Sequence, residues 1–193
     1  MANMNRLSFL FLATIFVATT ILASGADEFK PEDGYISLFN GHNLTGWGYR
    51  TNNFDGKTAS DDGRFSAGDG ILTVHPRAPR LVQKIWTTRS FSNDFNLKLE
   101  FRASVNADSG IYIREPQLQC RDYLIAGPYS DLKKYKPQDW NEIEITVTNN
   151  IAFCTCNGEI LESALKLPAN GPIGFEGDRG QMEYRHVQLK ELK

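Results

Sequence analysis

The sequence has no excess of positive charge and few histidines and cysteines. Its 21 Lys and Arg residues are balanced by 23 Asp and Glu residues, which gives a formal net charge of −2. No basic run stands out, so the chain lacks the electrostatic features by which proteins bind nucleic acids. The expected partner is therefore small and roughly neutral, as a sugar is, and no nucleic-acid partner is expected.

Motifs for metal binding and thiol chemistry are also lacking. The three histidines are scattered singly, without the spacing of a metal site. The three cysteines are Cys120, Cys154 and Cys156, and an odd number leaves at least one thiol free. Cys154 and Cys156 lie two residues apart and so share one face of a strand. The pattern favours buried thiols, with a bridge from Cys120 to one of the other two as the alternative.

The chain begins with a pattern typical of an export signal. Arg6 precedes an apolar run over 7–22, and small residues at 24–26 offer a cleavage site. The alternative is a membrane anchor, but the run is short and is followed by acidic residues and no basic stop-transfer cluster. The interpretation is a signal peptide over 1–26 and a single domain over 27–193, exported to the periplasm or the extracellular space without a membrane anchor.

The rest of the sequence reads as short strands separated by turns. Apolar and polar residues alternate over 96–103, 111–114, 117–121 and 142–147, as in antiparallel strands with one wet face. Asn-Gly and Asp-Gly pairs between the runs are typical of hairpin turns. A helical fragment is plausible only around 131–135. Many short strands with glycine-rich turns predict an all-β sandwich or barrel.

The last strand carries a conflict in its alternation. Val187 and Leu189 share parity with Glu183 and Arg185, so a regular strand would turn two charges toward the core. A β-bulge near His186 would reset the parity. The alternative is that the two charges pair at the sheet margin. We expect the bulge.

The polar positions of these strands carry groups suited to binding sugar hydroxyls. Guanidinium, amide and carboxylate groups can bind hydroxyls in pairs, and an aromatic ring can stack on a sugar. If neighbouring strands bring these groups together, they form one polar hollow; the alternative is an exposed face with routine cross-strand ion pairs. Trp140 could border this hollow or simply pack, whereas Trp47 and Trp86 are expected in the core. The polar positions are Glu100, Arg102, Tyr112, Arg114, Gln117, Gln119, Glu142 and Glu144.

Five short segments, spread from about Gly34 to Leu192, resemble the 3-keto-disaccharide hydrolase family. The resemblance implies a concanavalin-like jelly-roll sandwich of two antiparallel sheets and a secreted enzyme that acts on oxidised sugars. It also selects the sandwich over the barrel. The segments are I-S-L-F-N-G-H-N-L-T-G-W (36–47), L-E-F-R (99–102), S-G-I-Y-I-R (109–114), G-P-I-G-F (171–175) and E-Y-R-H-V-Q-L-K-E-L (183–192).

The resemblance also implies roles for individual residues. Asp122, Glu142 or Glu176 would act as base or acid, and Arg114 or Arg102 would steady an enolate; for Asp122 a turn-capping role is the alternative. The chain departs from the family in having Gln117 where a Glu is common, and an acidic residue where a His is common. Whether these oxygen ligands hold a divalent metal is left open. The substrate-binding residues would be Glu100, Arg102, Ser109, Tyr112, Gln117, Gln119, Trp140 and Arg185.

Three hypotheses for function follow. The first is an exported hydrolase or lyase that cleaves glycosides oxidised to a ketone at C3. The second is a non-catalytic carbohydrate-binding module of the same fold, because a fold does not determine a function. The third is a structural or adhesive surface domain. The sequence indicates no oligomeric state.

Overall fold

The computed structural model describes residues 29–124 and 129–192, and the expected signal peptide lies outside them. Within these ranges the secondary structure is β-strands and turns, without a helix, and no helix could therefore span a membrane there. The strands are β1 Ile36–Ser37, β2 Trp47–Tyr49, β3 Asn52–Asn53, β4 Phe65–Gly68, β5 Ile71–Val74, β6 Gln83–Phe91, β7 Phe95–Ala103, β8 Asp108–Ile113, β9 Gln117–Arg121, β10 Asn141–Thr148, β11 Ile151–Cys156, β12 Glu159–Lys166, β13 Gly171–Gly177 and β14 Met182–Glu191.

The predicted helical fragment at 131–135 is wrong, because this stretch is irregular, with a turn at its start and a bend at 133–134. Backbone amides in and just after this stretch bond to side chains at the starts of β10 and β12. The amides of Lys133 and Lys134 donate to the carboxylate of Glu159, and the amide of Lys136 donates to Asn141 Oδ1. The first backbone N–H groups of a helical turn would have no partner within the helix. Here side chains accept hydrogen bonds from these N–H groups without a helix.

The strands form two antiparallel sheets, which confirms the concanavalin-like jelly-roll sandwich. The eight-stranded sheet has the order β12-β11-β10-β7-β14-β5-β4, with β1 paired to β14. The six-stranded sheet has the order β3-β2-β6-β13-β8-β9. Consecutive strands β7 and β8 belong to different sheets, as do β13 and β14, so the chain crosses repeatedly between layers.

The core lies between the two sheets and is rich in aromatic rings. Phe175 of the six-stranded sheet stacks on Tyr184 of the eight-stranded sheet, with ring centroids 4.0 Å apart, and on Trp47 at 5.0 Å. All three side chains are fully buried. The expectation that Trp47 is a core residue is therefore confirmed, and the stack joins the layers directly.

The last strand contains the expected bulge. Arg185 pairs with Glu100, but the next pair along β14 is Gln188 with Lys98, so the register shifts between them. His186 lies at this point with φ of 54°. The shift lets Val187 and Leu189 be buried in the core.

The three cysteines are free and buried, which confirms the expectation of buried thiols over a disulfide. Burial raises the pKa of Cys154 and of Cys156 to about 12, with nearby carboxylates adding to the effect. Burial also raises the pKa of Cys120. All three therefore stay protonated at neutral pH and act as small apolar side chains.

Candidate functional site

The outer face of the six-stranded sheet carries a group of charged, amide and aromatic side chains on its central strands. Along its central strands Ile85, Ile111 and Phe175 point inward and have no exposed surface. Because side chains alternate along a strand, their neighbours Trp86, Tyr112 and Glu176 point outward. Trp86 was expected in the core; it is buried, but on this outer face and beneath other side chains.

Two glycines allow side chains to lie flat across this face. Gly174 pairs with both Trp86 and Tyr112, and a Cβ there would come within 2.6 Å of the Trp86 ring. A Cβ at Gly110 would come within 2.1 Å of the Gln117 amide nitrogen. The Trp86 and Tyr112 ring centroids lie 5.4 Å apart above Gly174, in an edge-to-face arrangement.

Glu176 lies at the centre of the face. The hydroxyl of Tyr112 donates to its Oε1 at 2.9 Å, and Gln117 Nε2 donates to its Oε2 at 2.7 Å. Together these bonds fix the plane of the carboxylate. The cross-strand neighbour of Glu176 is Lys84, whose Nζ lies 4.0 Å from the centre of the Tyr112 ring. Burial, and then the bond to Glu176, raise the pKa of Tyr112, so its phenol remains protonated.

Two further carboxylates flank Glu176 on the same face. Asp178, the residue after the end of β13, forms a two-point ion pair with Arg80. Asp108 accepts a 2.6 Å hydrogen bond from Gln119 Nε2 and lies 3.7 Å from Arg121. We call this group the carboxylate floor, and it consists of Lys84, Asp108, Tyr112, Gln117, Gln119, Glu176 and Asp178.

A cavity of about 510 Å³ opens beside the floor, next to Trp86. The guanidinium carbon of Arg50 lies 4.3 Å from the centre of the Trp86 ring, and Arg50 also pairs with Glu115 at 2.5 Å. The volume falls within the ~300–1,000 Å³ range of small-molecule sites. Its lining is mostly hydroxyl and amide groups, from Tyr49, Thr51, Asn52, Asn53, Thr87 and Thr88.

The structure does not bring the sequence-predicted site residues together in one hollow, and that expectation is wrong. Four of them lie on the carboxylate floor, namely Tyr112, Gln117, Gln119 and Glu176. Five others lie on or beside strands of the eight-stranded sheet, namely Glu100, Arg102, Glu142, Trp140 and Arg185. The separation arises because β7, β10 and β14 belong to one sheet, whereas β8, β9 and β13 belong to the other.

Arg114 and Ser109 are buried away from either outer face. Arg114 has no exposed surface, and its guanidinium donates to Asn150 Oδ1 at 2.8 Å and to the carbonyls of Pro168 and Asn93. The Ser109 hydroxyl, also unexposed, bonds to the Glu176 carbonyl and to the Tyr184 hydroxyl in the core. Arg114 thus holds three loops together, and this position argues against the predicted role in steadying an enolate.

Asp122 is also buried, with 2% of its surface exposed. Its carboxylate accepts hydrogen bonds from the Asn106 amide, the Tyr135 hydroxyl and Gln138 Nε2, each at 3.2 Å. These bonds tie the loop before β8 to the loop before β10. The position favours the alternative role of joining turns over that of a base.

Sequence reasoning missed several members of the floor. Asp108 and Lys84 have the same parity as Tyr112 and Trp86, respectively, so alternation alone could have placed them on the outer faces of their strands. Asp178 follows Glu176 by two residues and shares its face for the same reason. Arg80, the partner of Asp178, had no such signal, because it lies in the loop between β5 and β6.

In residues 29–124 and 129–192, no cluster of three or more His, Cys, Asp or Glu side chains is arranged to hold a metal ion.

His186 on the other face provides a test of local electrostatics. Its Nδ1 lies 3.0 Å from Glu100 Oε2 and its ring stacks on Phe29 at 4.4 Å. Burial lowers the pKa of His186 below its ordinary value of 6.5, although Glu100 acts in the opposite direction. The unfolded chain then binds more protons than the folded one as pH falls below 6.5, so this contribution to stability is present above pH 6.5 and is lost as pH decreases through the folded-state pKa.

We therefore expect His186→Asn to flatten the fall in unfolding free energy between pH 7 and pH 5. Asn is the matched replacement because it tolerates the positive φ at this position. Urea unfolding of both proteins across this range measures the difference. If the native protein instead gains stability relative to the variant as pH falls, attraction to Glu100 outweighs burial.

Comparison with known proteins identifies the family. A family model described as a 3-keto-alpha-glucoside-1,2-lyase-like domain matches residues 34–190. Two structures of candidate glycosyl hydrolases from Parabacteroides distasonis ATCC 8503 share the fold. One is 16% identical, with a TM-score of 0.64 over 83% of this chain and 95% of that one. The other is 19% identical, with a TM-score of 0.61 over 82% and 99%. No curated protein matches the chain.

Proposed function

Because the chain belongs to the 3-keto-alpha-glucoside-1,2-lyase-like domain family, we propose that it is a hydrolase or lyase that cleaves the glycosidic bond of 3-keto-glycosides. The observation that carries the proposal is the carboxylate floor, where Asp108 of β8 lies near Glu176 of β13 and Asp178 just after it, with Lys84 and Tyr112 on the adjoining strands. This group combines proton acceptors, hydrogen-bond donors and a cation on one face. Such a combination suits proton abstraction next to a carbonyl group.

The reaction follows from the acidity that a ketone confers on its neighbour. A base removes the proton from C2, and the electron pair moves onto the C3 oxygen to form an enolate. The C3 carbonyl then re-forms, and the electron pair of the C2–C3 double bond moves to make a C1–C2 double bond. The bond from C1 to the glycosidic oxygen breaks at the same time, and its electron pair leaves with that oxygen. The leaving oxygen takes up a proton. Addition of water to the double bond would complete hydrolysis, and release before that step would be a lyase reaction.

Glu176 is the best-placed base, because it is central and its orientation is fixed by two hydrogen bonds. After taking the C2 proton it can return the same proton to the leaving oxygen, either directly or through the Tyr112 hydroxyl. Lys84, the cross-strand neighbour of Glu176, supplies a positive charge that can stabilise the enolate oxygen. The amides of Gln117 and Gln119 are suited to hold sugar hydroxyls.

The second candidate is a carbohydrate-binding domain without catalysis. It is favoured by the ion pair of Asp178 with Arg80 and by the engagement of both Glu176 oxygens in hydrogen bonds. Carboxylates that are already paired can bind a sugar hydroxyl without transferring a proton. The two candidates require the same floor and differ only in turnover.

The discriminating measurement is incubation of the purified protein with a 3-keto-glucoside and with its unoxidised parent. We expect cleavage of the keto form alone. Chromatography of the released alcohol or sugar detects it. The unoxidised parent is the control, because it lacks the acidic C2 hydrogen. Binding of either compound without release would support the non-catalytic candidate and contradict the enzyme.

Export is part of this proposal. The apolar run at 7–22 and the cleavage site at 24–26 support a mature protein that begins after Ala26. The mass of the mature protein from its native host would test this start.

A further inference from the structure

The outer face of the eight-stranded sheet carries a second group of side chains, centred on Trp140. The guanidinium carbon of Arg185 lies 4.0 Å from the centre of the indole ring, and that of Arg102 lies 4.8 Å away. Each arginine is paired with a carboxylate, Arg185 with Glu100 at 2.5 Å and Arg102 with Glu183 at 2.5 Å. We call these five residues the Trp140 platform.

The indole is anchored by the residue that follows it. Asn141 is fully buried, and its amide donates to the carbonyls of Lys136 and Asp139 at 2.8 Å. Asn141 pairs with Phe101 at the start of β10, which brings Trp140 beside Arg102. Two arginines held by ion pairs then support the ring. A positioned aromatic surface of this kind loses little conformational entropy when a ligand stacks on it.

A cavity of about 270 Å³ adjoins the platform. Gln181 Nε2 donates to Glu183 Oε1 at 2.8 Å, and the Gln181 backbone amide donates to Ser104 Oγ at 3.0 Å. The cavity is smaller than the ~300–1,000 Å³ of typical small-molecule sites, which suits one ring rather than a large ligand. Much of its exposed lining is apolar carbon, with polar groups at the margins, and the lining residues are Arg102, Ala103, Ser104, Gln138, Gln181 and Glu183.

The charge of the platform indicates the class of ligand. The two guanidinium groups of the platform are balanced by its two carboxylates, and Glu142, the exposed cross-strand neighbour of Glu100, adds a negative charge beside them, so an anionic ligand is disfavoured. The planar charged groups and the amides present donors and acceptors in pairs, as vicinal hydroxyls require. The indole offers an apolar surface to the C–H face of a sugar ring. These properties together fit a neutral pyranose.

We propose that the Trp140 platform is a second saccharide-binding site, which holds one neutral sugar unit of a longer carbohydrate. It lies on the opposite side of the sandwich from the carboxylate floor, because the two groups occupy the outer faces of different sheets. The domain thus has one face for chemistry and another for attachment. Attachment raises the effective concentration of reactive sugars near the floor. The proposal does not depend on the reaction at the floor.

The three tryptophans make the test specific, because each reports on a different part of the molecule. Trp47 is buried and donates its indole N–H to the Leu38 carbonyl at 2.7 Å, Trp86 borders the floor, and Trp140 forms the platform. We expect titration with cellohexaose, maltohexaose or laminarihexaose to move the indole N–H resonance of Trp140 and to leave that of Trp47 in place. Trp140→Phe assigns the resonance by removing it.

Two variants test the affinity. Trp140→Ala should weaken binding of the responding oligosaccharide at least tenfold, and Gln181→Ala should weaken it about threefold while leaving the ring in place. Glu176→Gln, on the opposite face, should leave the Trp140 shift unchanged even if it abolishes turnover. The proposal is overturned if no oligosaccharide moves the Trp140 resonance, or if Trp140→Ala binds as the native protein does.

Discussion

Replacing Glu176 by Gln should lower the rate of 3-keto-glucoside cleavage by about 10²–10⁴-fold, the usual contribution of a positioned general base. Gln has nearly the same shape, and its carbonyl oxygen can still accept one of the two hydrogen bonds from Tyr112 and Gln117. The substitution therefore removes the proton acceptor with little change in volume. Steady-state measurement of kcat and KM would place the loss mainly in kcat, because the base acts in the transition state.

The matched control is Glu162→Gln, the same chemical change on β12 of the other sheet. The Glu162 side chain accepts a hydrogen bond from the nearby Ala164 amide and takes no part in the floor. Its kcat should stay within about twofold of the native value. If both variants retain native turnover, Glu176 is not the base, and Asp108 and Asp178 become the carboxylates to replace.

Replacing Arg114 by Ala should destabilise the fold by about 3 kcal/mol or more. The substitution leaves the carbonyls of Asn93 and Pro168 and the side chain of Asn150 without their donor, and each unsatisfied buried group costs about 1–3 kcal/mol. It also removes packing of the guanidinium against the ring of Phe95, 5.4 Å away. Equilibrium unfolding in urea measures the loss directly.

An exposed cation provides the comparison for Arg114. Lys57 forms a surface ion pair with Asp61, and both side chains are about half exposed. Such pairs contribute about 0–1 kcal/mol, so Lys57→Ala should change the unfolding free energy by no more than that. If Arg114→Ala is equally mild, water replaces the guanidinium at the loop junction and the residue is not a structural clamp.

Alternation along the strands allowed much of the fold to be predicted. It indicated the half-buried strands, and the parity conflict at Val187 correctly predicted the bulge beside His186. It also placed Tyr112 and Gln119 on wet faces. These features depend on neighbours one or two residues apart, which a sequence contains explicitly.

The assembly of the site could not be predicted in the same way. Which sheet a strand joins depends on partners far away in the chain, as when β7 pairs with β14 while β8 pairs with β13. Parity also fails where the backbone leaves the strand. Arg114 follows the end of β8 with φ of 53°, so its side chain turns inward between loops instead of outward beside Tyr112.

The parity of Asp122 did contain a usable signal. It matches the buried pair Leu118 and Cys120 on the same strand, which predicts an inward direction. A carboxylate that points inward at a strand end must be satisfied by nearby donors, and the three hydrogen bonds at Asp122 meet that need. Weighing this signal would have favoured the joining role over the catalytic one.

The unbridged thiols have a practical consequence. With no cross-link to form, the domain should reach the same structure in a reducing cytosol as in an oxidising compartment. Because the sulfurs are enclosed and protonated, an alkylating reagent can modify them only when the sandwich opens. The rate of that labelling then reports how often the two layers separate.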